Sequence, residues 1–216
     1  MNNLKNIIFD LDGTLIDSSD GVVEAVNYSL EQLGEPTQPP EKIKPFIGFS
    51  LSKMYPHFSD KPVKELYHHF QVKAADTVVS STVILPDVEE VIVKLFNSGY
   101  NLAIASTKIR PHIEGIIEKF NWHNYFPVFS GGNEVEQVKP APDIFNLTME
   151  RMKAEPDSTV VVGDTINDII AAQAIGLKVI GVKSPYDDGK DIQRLEPDYY
   201  IGKIKNLMEV LSNGKR

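Results

Sequence analysis

Four acids in this chain stand where carboxylates could act together. Asp10 and Asp12 flank a single residue in Asp10-Leu11-Asp12-Gly13-Thr14, directly after the apolar run Ile7-Ile8-Phe9. Asp164 and Asp168 lie four residues apart in Gly163-Asp164-Thr165-Ile166-Asn167-Asp168. Between the two pairs come Ser106 and Lys139, a hydroxyl and an ammonium. Four carboxylates brought together cannot all ionise without a countercharge. An oxygen-rich acidic set suits a hard dication, and Mg²⁺ typically takes one or two carboxylates, substrate phosphate and water. Asp164 and Asp168 would share a helix face near its N-terminus, where the helix dipole favours anions. Ser106 and Lys139 would then bind an anionic substrate oxygen. Singly, each piece has a structural reading. Asp10-Leu11-Asp12 could be a solvated turn, Lys139 a surface lysine, and Ser106, Thr107, Asp164 or Asp168 a helix cap.

These residues can meet only if particular elements carry them. Residues 6–10 read as a short buried strand ending in an acid. Residues 20–33 read as a helix with Val22, Val26, Leu30 and Leu33 on one face and Asp20 as N-cap, stopped by Gly34. Pro36, Pro39, Pro40 and Pro45 mark a broken loop, and helical stretches follow near 50–56 and 62–77. From residue 87 the pattern changes. Helices are expected at 87–97, 111–120, 142–152, 166–175 and 203–212; strands are expected at 101–105, 127–130, 159–163, 178–182 and 198–201. Strands alternating with helices imply a parallel sheet covered on both faces. The expected fold is therefore α/β, a Rossmann-like doubly wound parallel sheet with an inserted α-helical domain. Residues 1–17 and 84–216 would form the core and 18–83 the insertion. Ligands of such sheets bind at the carboxyl ends of the strands. Asp10, Ser106 and Asp164 all fall there, and Lys139 lies in the loop after the third strand.

Composition narrows the classes. With 42% hydrophobic and 24% charged residues the chain can build a core and is not disordered. Its net charge of -8 disfavours a nucleic-acid-binding role. Without cysteine there is no disulfide, thiolate metal site or cysteine nucleophile. The chain shows no P-loop, no Gly-x-Gly-x-x-Gly fingerprint, no Gly-x-Ser-x-Gly elbow and no His-Glu-x-x-His pair. The five histidines read as surface or cap residues and Trp122 as a core aromatic. No run approaches the ~18 apolar residues of a membrane span. The apolar stretch after Met1 is too short for a signal peptide, so a cytoplasmic location without membrane partners is expected.

The full set of motifs resembles the haloacid dehalogenase superfamily. Asp10-Leu11-Asp12-Gly13-Thr14-Leu15-Ile16-Asp17-Ser18 is similar to its first motif. Ser106 is similar to the second, Lys139 in Val138-Lys139-Pro140-Ala141-Pro142-Asp143 to the third, and Gly163–Asp168 to the fourth. They come in the family's order and span nearly the whole chain. The resemblance implies that Asp10 is a nucleophile forming an aspartyl-phosphate and that Asp12 is the acid and base. It implies Mg²⁺ as cofactor, held by Asp10, the backbone carbonyl of Asp12 and Asp164, with Asp168 in support. Ser106, Thr107 and Lys139, with Lys108, would bind the phosphoryl oxygens.

The helical insertion resembles the small cap of the phosphoglycolate phosphatase and β-phosphoglucomutase branch. Its hinges would lie near Asp17–Ser19 and Ile84–Pro86, and its substrate loop would include Gly48, Phe49 and Ser50, with Lys53 one turn later. The presence of Asp12 speaks against dehalogenation. The four arginines, Arg110, Arg151, Arg194 and Arg216, all lie outside 18–83, which favours a hydrolase over a mutase. Six lysines against eight acids within 18–83 leave no broad basic surface for a large anion. The resemblance thus implies a phosphatase acting on a small phosphorylated metabolite, phosphoglycolate- or sugar-phosphate-like. The alternatives within the superfamily are an inorganic pyrophosphatase or a phosphoglucomutase. A rival of another class is a receiver-type domain that carries a phosphorylated aspartate. Oligomeric state is not legible in the residues.

Overall fold

The computed structural model describes residues 4–186 and 189–213. Its centre is a strand whose four residues are all buried, β1 (Asn6–Phe9). β1 pairs in parallel with β4 (Asn101–Ser106) on one side and β6 (Thr159–Gly163) on the other. β5 (Val128–Gly131) extends the first side; β7 (Lys178–Val182) and β8 (Tyr199–Ile201) extend the second. The order is β5-β4-β1-β6-β7-β8, so the chain winds outward from β1 one way and then returns to wind the other way. Phe9 is level with Ile104 and with Val162, which places Asp10 at the reversal point, in the crevice where open α/β sheets bind ligands.

Both faces of the sheet are covered, yet each strand still alternates. Ile7, Phe9, Leu102, Ile104, Val160 and Val162 face one layer. There they meet α5 (Val88–Asn97), α6 (Arg110–Lys119) and α10 (Leu207–Asn213). Ile8, Ala103, Ala105, Val161 and Val179 face the other, against α7 (Asp143–Met152), α8 (Ile166–Ala174) and the short α9 (Lys190–Arg194). The period-2 geometry of strands divides these apolar residues between two cores. Val88, Val91, Ile92 and Leu95, the α5 face expected from spacing, are all inside. Of the expected face of α1 (Ser19–Gln32), Val22, Val26 and Leu30 are buried while Leu33 is half-buried just past the helix end. Trp122 is 2% exposed, within the first of these cores.

The region from 18 to 83 has a core of its own. α1 (Ser19–Gln32) lies along α4 (Val63–Ser81), with the short α2 (Pro40–Ile43) and α3 (Leu51–Met54) between them in sequence. Val26, Leu30, Ile43, Tyr55, Leu66 and Val78 are buried among one another there. The two long helices approach closely at Gly21, where a Cβ would come within 2.6 Å of the Thr77 carbonyl oxygen. Burying one such large apolar side chain is worth ~1.5–3 kcal/mol, so this cluster can support its own packing.

Several elements differ from the sequence reading. Ser18, not Asp20, is the N-cap of α1, and the helix starts at Ser19 because the Asp17 carboxylate accepts the Ser19 N–H at 2.8 Å. Asp20 is the second residue of the helix, in its first turn, and is exposed. α4 runs four residues beyond the expected end, since Thr77 and Val78 still find buried positions. The stretch near 50–56 is a single turn of α-helix continued by a 3₁₀ turn at Tyr55–His57, which Pro56 favours by lacking an N–H donor. Two strand pieces were not foreseen, β2 (Ile16–Asp17) and β3 (Val83–Ile84), which pair antiparallel where the chain leaves and re-enters the sheet layer. At two residues each they are too short for a periodic signal.

Candidate active site

The turn after β1 is built around Gly13. Gly13 N–H donates to the Ile16 carbonyl at 2.8 Å, and its φ of 84° is a conformation glycine adopts without cost. A Cβ there would lie 2.1 Å from Oδ2 of Asp164, so the turn and the loop after β6 pack too tightly for any side chain. The tight turn aims Thr14 across the crevice, and its hydroxyl donates to Oδ1 of Asp164 at 2.8 Å. Ser184, in the loop after β7, donates to Oδ2 of the same carboxylate at 2.6 Å. Nothing local marks Ser184 in the sequence; the order β1-β6-β7 brings it in.

Asp168 sits in the first turn of α8. Its Oδ2 accepts from the Thr165 backbone at 3.1 Å and from the Thr165 hydroxyl at 2.7 Å, closing a capping box. Its Oδ1 faces Lys139, whose Nζ is 2.6 Å away and 2.7 Å from Oδ1 of Asp10. One buried ammonium therefore bridges two buried acids from opposite ends of the chain. Oxygens of Asp10, Asp164 and Asp168 lie within 4.8 Å of one another.

Three carboxylates against one ammonium leave an excess of negative charge in a dry place. Burial pushes the Asp10 carboxyl up to about 7; Lys139 opposes the rise, and Asp168 and Asp12 add to it. Burial, then Asp10 and Asp168, hold Asp164 well above the usual carboxylate range against the hydroxyls of Ser184 and Thr14. Burial works against the charge of Lys139, but Asp10 and Asp168 outweigh it and raise its pKa. A hard dication among these oxygens would supply the missing positive charge, so the donor set fits Mg²⁺. Asn167, 2% exposed between the two acids in sequence, has an Nδ2 without a hydrogen-bond partner.

Asp12 stands apart from this cluster. Its Oδ2 is 3.1 Å from Lys108 Nζ, and its Oδ1 accepts a short hydrogen bond from the Ser18 hydroxyl. Ser106, 1% exposed at the end of β4, accepts the Lys108 N–H at 3.2 Å. Thr107 reaches the other way and donates to the Gly48 carbonyl at 3.2 Å. Gly48 has φ 90°, and a Cβ there would come within 2.9 Å of Thr165. The loop Ile47–Ser50 thus lies on the strand ends themselves.

Beside Asp12 and Lys108 is a cavity of about 240 Å³. Gly48, Phe49, Ser50, Thr107 and Lys108 line it; Lys53, exposed in the single turn of α3, does not. One histidine departs from the expectation that all five are surface or cap residues. His112 in α6 is instead half-buried and lines this cavity, where burial, then Lys108, hold its imidazole down at about 4. A lone histidine without a metal-ligand spacing gives no signal of this in sequence.

Residues 7–182 match the family model described as haloacid dehalogenase-like hydrolase. The chain belongs to the haloacid dehalogenase-like hydrolase family. That sets aside the receiver-type alternative. This hydrolase is 28% identical over 212 residues to the pyrophosphatase PpaX of Bacillus mycoides, covering 97% of each chain. It is 30% identical to the phosphoglycolate phosphatase of Psychrobacter arcticus, covering 95% of this chain and 94% of the other. Among solved structures it superposes on a haloacid dehalogenase-like hydrolase from Bacteroides fragilis with TM-score 0.89 at 26% identity, covering 94% of this chain and 99% of that one. Among the described residues of the hydrolase, no helix is long and apolar enough to cross a membrane.

Proposed function

We propose that the protein is a Mg²⁺-dependent phosphatase that hydrolyses a small phosphate monoester through a phosphorylated Asp10. The observation that carries this reading is the Lys139 ammonium held between Asp10 and Asp168, beside an Asp164 whose charge is unmatched. Lys139 engages Oδ1 of Asp10, so Oδ2 is the atom left to attack phosphorus. The new Asp10–phosphorus bond forms as the bond to the leaving oxygen breaks, and that oxygen takes a proton from Asp12. Water then attacks the aspartyl-phosphate, giving its proton to Asp12 and releasing phosphate and the Asp10 carboxylate.

An entering phosphate dianion competes with Asp12 for Lys108. Drawing Lys108 away frees Asp12 to take up the proton that it delivers. The Ser106 hydroxyl, the Thr107 loop and Lys139 meet the remaining phosphoryl oxygens. Asp10, Asp164 and the Asp12 backbone carbonyl would hold Mg²⁺, with Asp168 in support, and the ion would neutralise phosphoryl charge when bound.

Residues 18–83 act in this reading as a cap over a core of 1–17 and 84–216. The cap's contacts at Gly48 exclude bulk water from the aspartyl ester. Phosphate release from a panel of small esters, measured with Mg²⁺ and with chelator, tests the proposal. Release that persists in chelator, or none with any ester, would refute it.

A further inference from the structure

The cavity beside Asp12 limits what the leaving group can be, and this inference rests on the phosphatase reading above. A leaving oxygen protonated by Asp12 must project its organic part into the space that Asp12 lines. Six of its apolar wall residues are Phe46, Phe49, Leu51, Met54, Phe70 and Val78, beside a polar margin that includes Ser50, Gln71, Thr107 and Asn133. All six come from the helical region, and Met54 and Val78 are 1% exposed.

The charges around the cavity are already committed. Among the described residues that line it, Lys108 is the one lysine and no arginine is present. Lys108 is paired with Asp12 at 3.1 Å, and in the reaction it is drawn to the transferring phosphoryl group. Burial, then Lys108, hold the imidazole of His112 down at about 4. Lys53 is exposed outside the lining, and Lys44 faces Asp20 at 3.9 Å. Arg110 is turned to Glu114 and Glu134. A carboxylate or a second phosphate on the leaving group would therefore be desolvated against apolar walls without a countercharge.

We infer that the substrate is the phosphate monoester of a small, uncharged and largely apolar alcohol, seated in the cavity lined by Phe46, Phe49, Phe70 and Val78. At about 240 Å³ the space lies below the roughly 300–1,000 Å³ of drug-sized pockets, so the alcohol is small. Each methylene buried there adds roughly fourfold in kcat/KM until the space is filled. The residue pattern fits neither phosphoglycolate, with its carboxylate, nor pyrophosphate, with its anionic leaving group.

The test uses the full chain in excess Mg²⁺. Steady-state kcat/KM is measured for methyl, ethyl, propyl and butyl phosphate, benzyl phosphate, 2-phosphoglycolate and pyrophosphate. The alkyl series is expected to rise with length, and butyl or benzyl phosphate to exceed phosphoglycolate and pyrophosphate at least tenfold. A flat alkyl series, or a charged substrate used equally well or better, overturns the inference while leaving the phosphatase intact. No Mg²⁺-dependent release from any of them overturns the phosphatase reading and the inference with it. One variant checks the location. Gln71→Arg puts a cation at the cavity's exposed rim and should raise kcat/KM for phosphoglycolate several-fold without changing the Mg²⁺ half-saturation. An unchanged substrate ratio in that variant means the leaving group lies elsewhere and overturns the assignment.

Discussion

The Nζ of Lys139 lies 2.7 Å from Asp10 Oδ1 and 2.6 Å from Asp168 Oδ1, with all three side chains almost wholly buried. Its removal strands two acids beside a third. Breaking a buried ion pair from one side costs about 3–5 kcal/mol. Lys139→Met is therefore expected to lower the urea midpoint strongly at pH 8 and less at pH 5.5, where the stranded acids take up protons. It should also reduce kcat/KM by 10²-fold or more, the usual cost of losing a charge-stabilising donor. A midpoint loss that does not depend on pH would show that Lys139 is not balancing these carboxylates.

Asp10→Asn changes one atom of the carboxylate and is expected to abolish turnover while leaving the far-UV circular dichroism unchanged. Asp12→Asn should lose ~10²–10⁴-fold in kcat, because it removes the proton carrier. A trapped phosphoryl group should never appear on Asp10→Asn in acid-quenched mass spectra. Near-normal activity in Asp10→Asn would sink the mechanism.

The Asp10 carboxyl has its pKa raised from 3.8 to about 7 in the metal-free protein, chiefly by burial. The folded state therefore holds a proton that the unfolded chain has released. This contribution to stability is fully present below about 3.8 and is lost as pH rises through about 7. A dication must displace that proton. The Mg²⁺-induced rise in Tm should thus be larger at pH 8 than at pH 6, with apparent affinity falling up to tenfold per pH unit below about 7. Thermal melts with and without Mg²⁺ at both pH values check it; an equal rise at the two would contradict the site.

Ser184 and Thr14 each donate a hydrogen bond to Asp164, at 2.6 and 2.8 Å. Groups that orient a metal-holding carboxylate typically contribute 10–100-fold in metal affinity. Ser184→Ala should raise the Mg²⁺ concentration for half-maximal activity by about that factor, with kcat nearly restored at saturation. Thr14→Val should behave likewise. A fall in kcat that excess Mg²⁺ does not repair would point to a different role.

Gly48 places its carbonyl against Thr107 and has no room for a Cβ beside Thr165. Gly48→Ala should cost ~1–2 kcal/mol of backbone strain and raise KM, with little change in the Mg²⁺ requirement. Lys53→Ala, at an exposed position outside the cavity lining, should leave the substrate profile unchanged. A profile altered by Lys53→Ala would show that the helical region takes up another arrangement during turnover.

How far residues alone could lead depends on the range of the interaction. The apolar run Ile7-Ile8-Phe9, the spacing in α5 and the order of the four motifs were legible because each reports on neighbours along the chain. Periodicity says which face of an element is buried, and strand ends in an α/β alternation say where ligands gather. That was enough to gather Asp10, Ser106, Lys139, Asp164 and Asp168 at one edge.

Their partners were decided by the fold. Lys139 meets Asp10 across 129 residues and Ser184 meets Asp164 across 20, contacts set by the order of the strands in the sheet, with β5 and β4 on one side of β1 and β6 and β7 on the other. The pairing of Asp12 with Lys108, the entry of His112 into the cavity and the exclusion of Lys53 from it have the same origin. Side-chain type and spacing limit what chemistry a residue can do. Which atoms it faces, and how dry that place is, follow from the packing of elements distant in sequence, and burial and neighbouring charge then set whether an acid is a proton carrier, a nucleophile or a metal ligand.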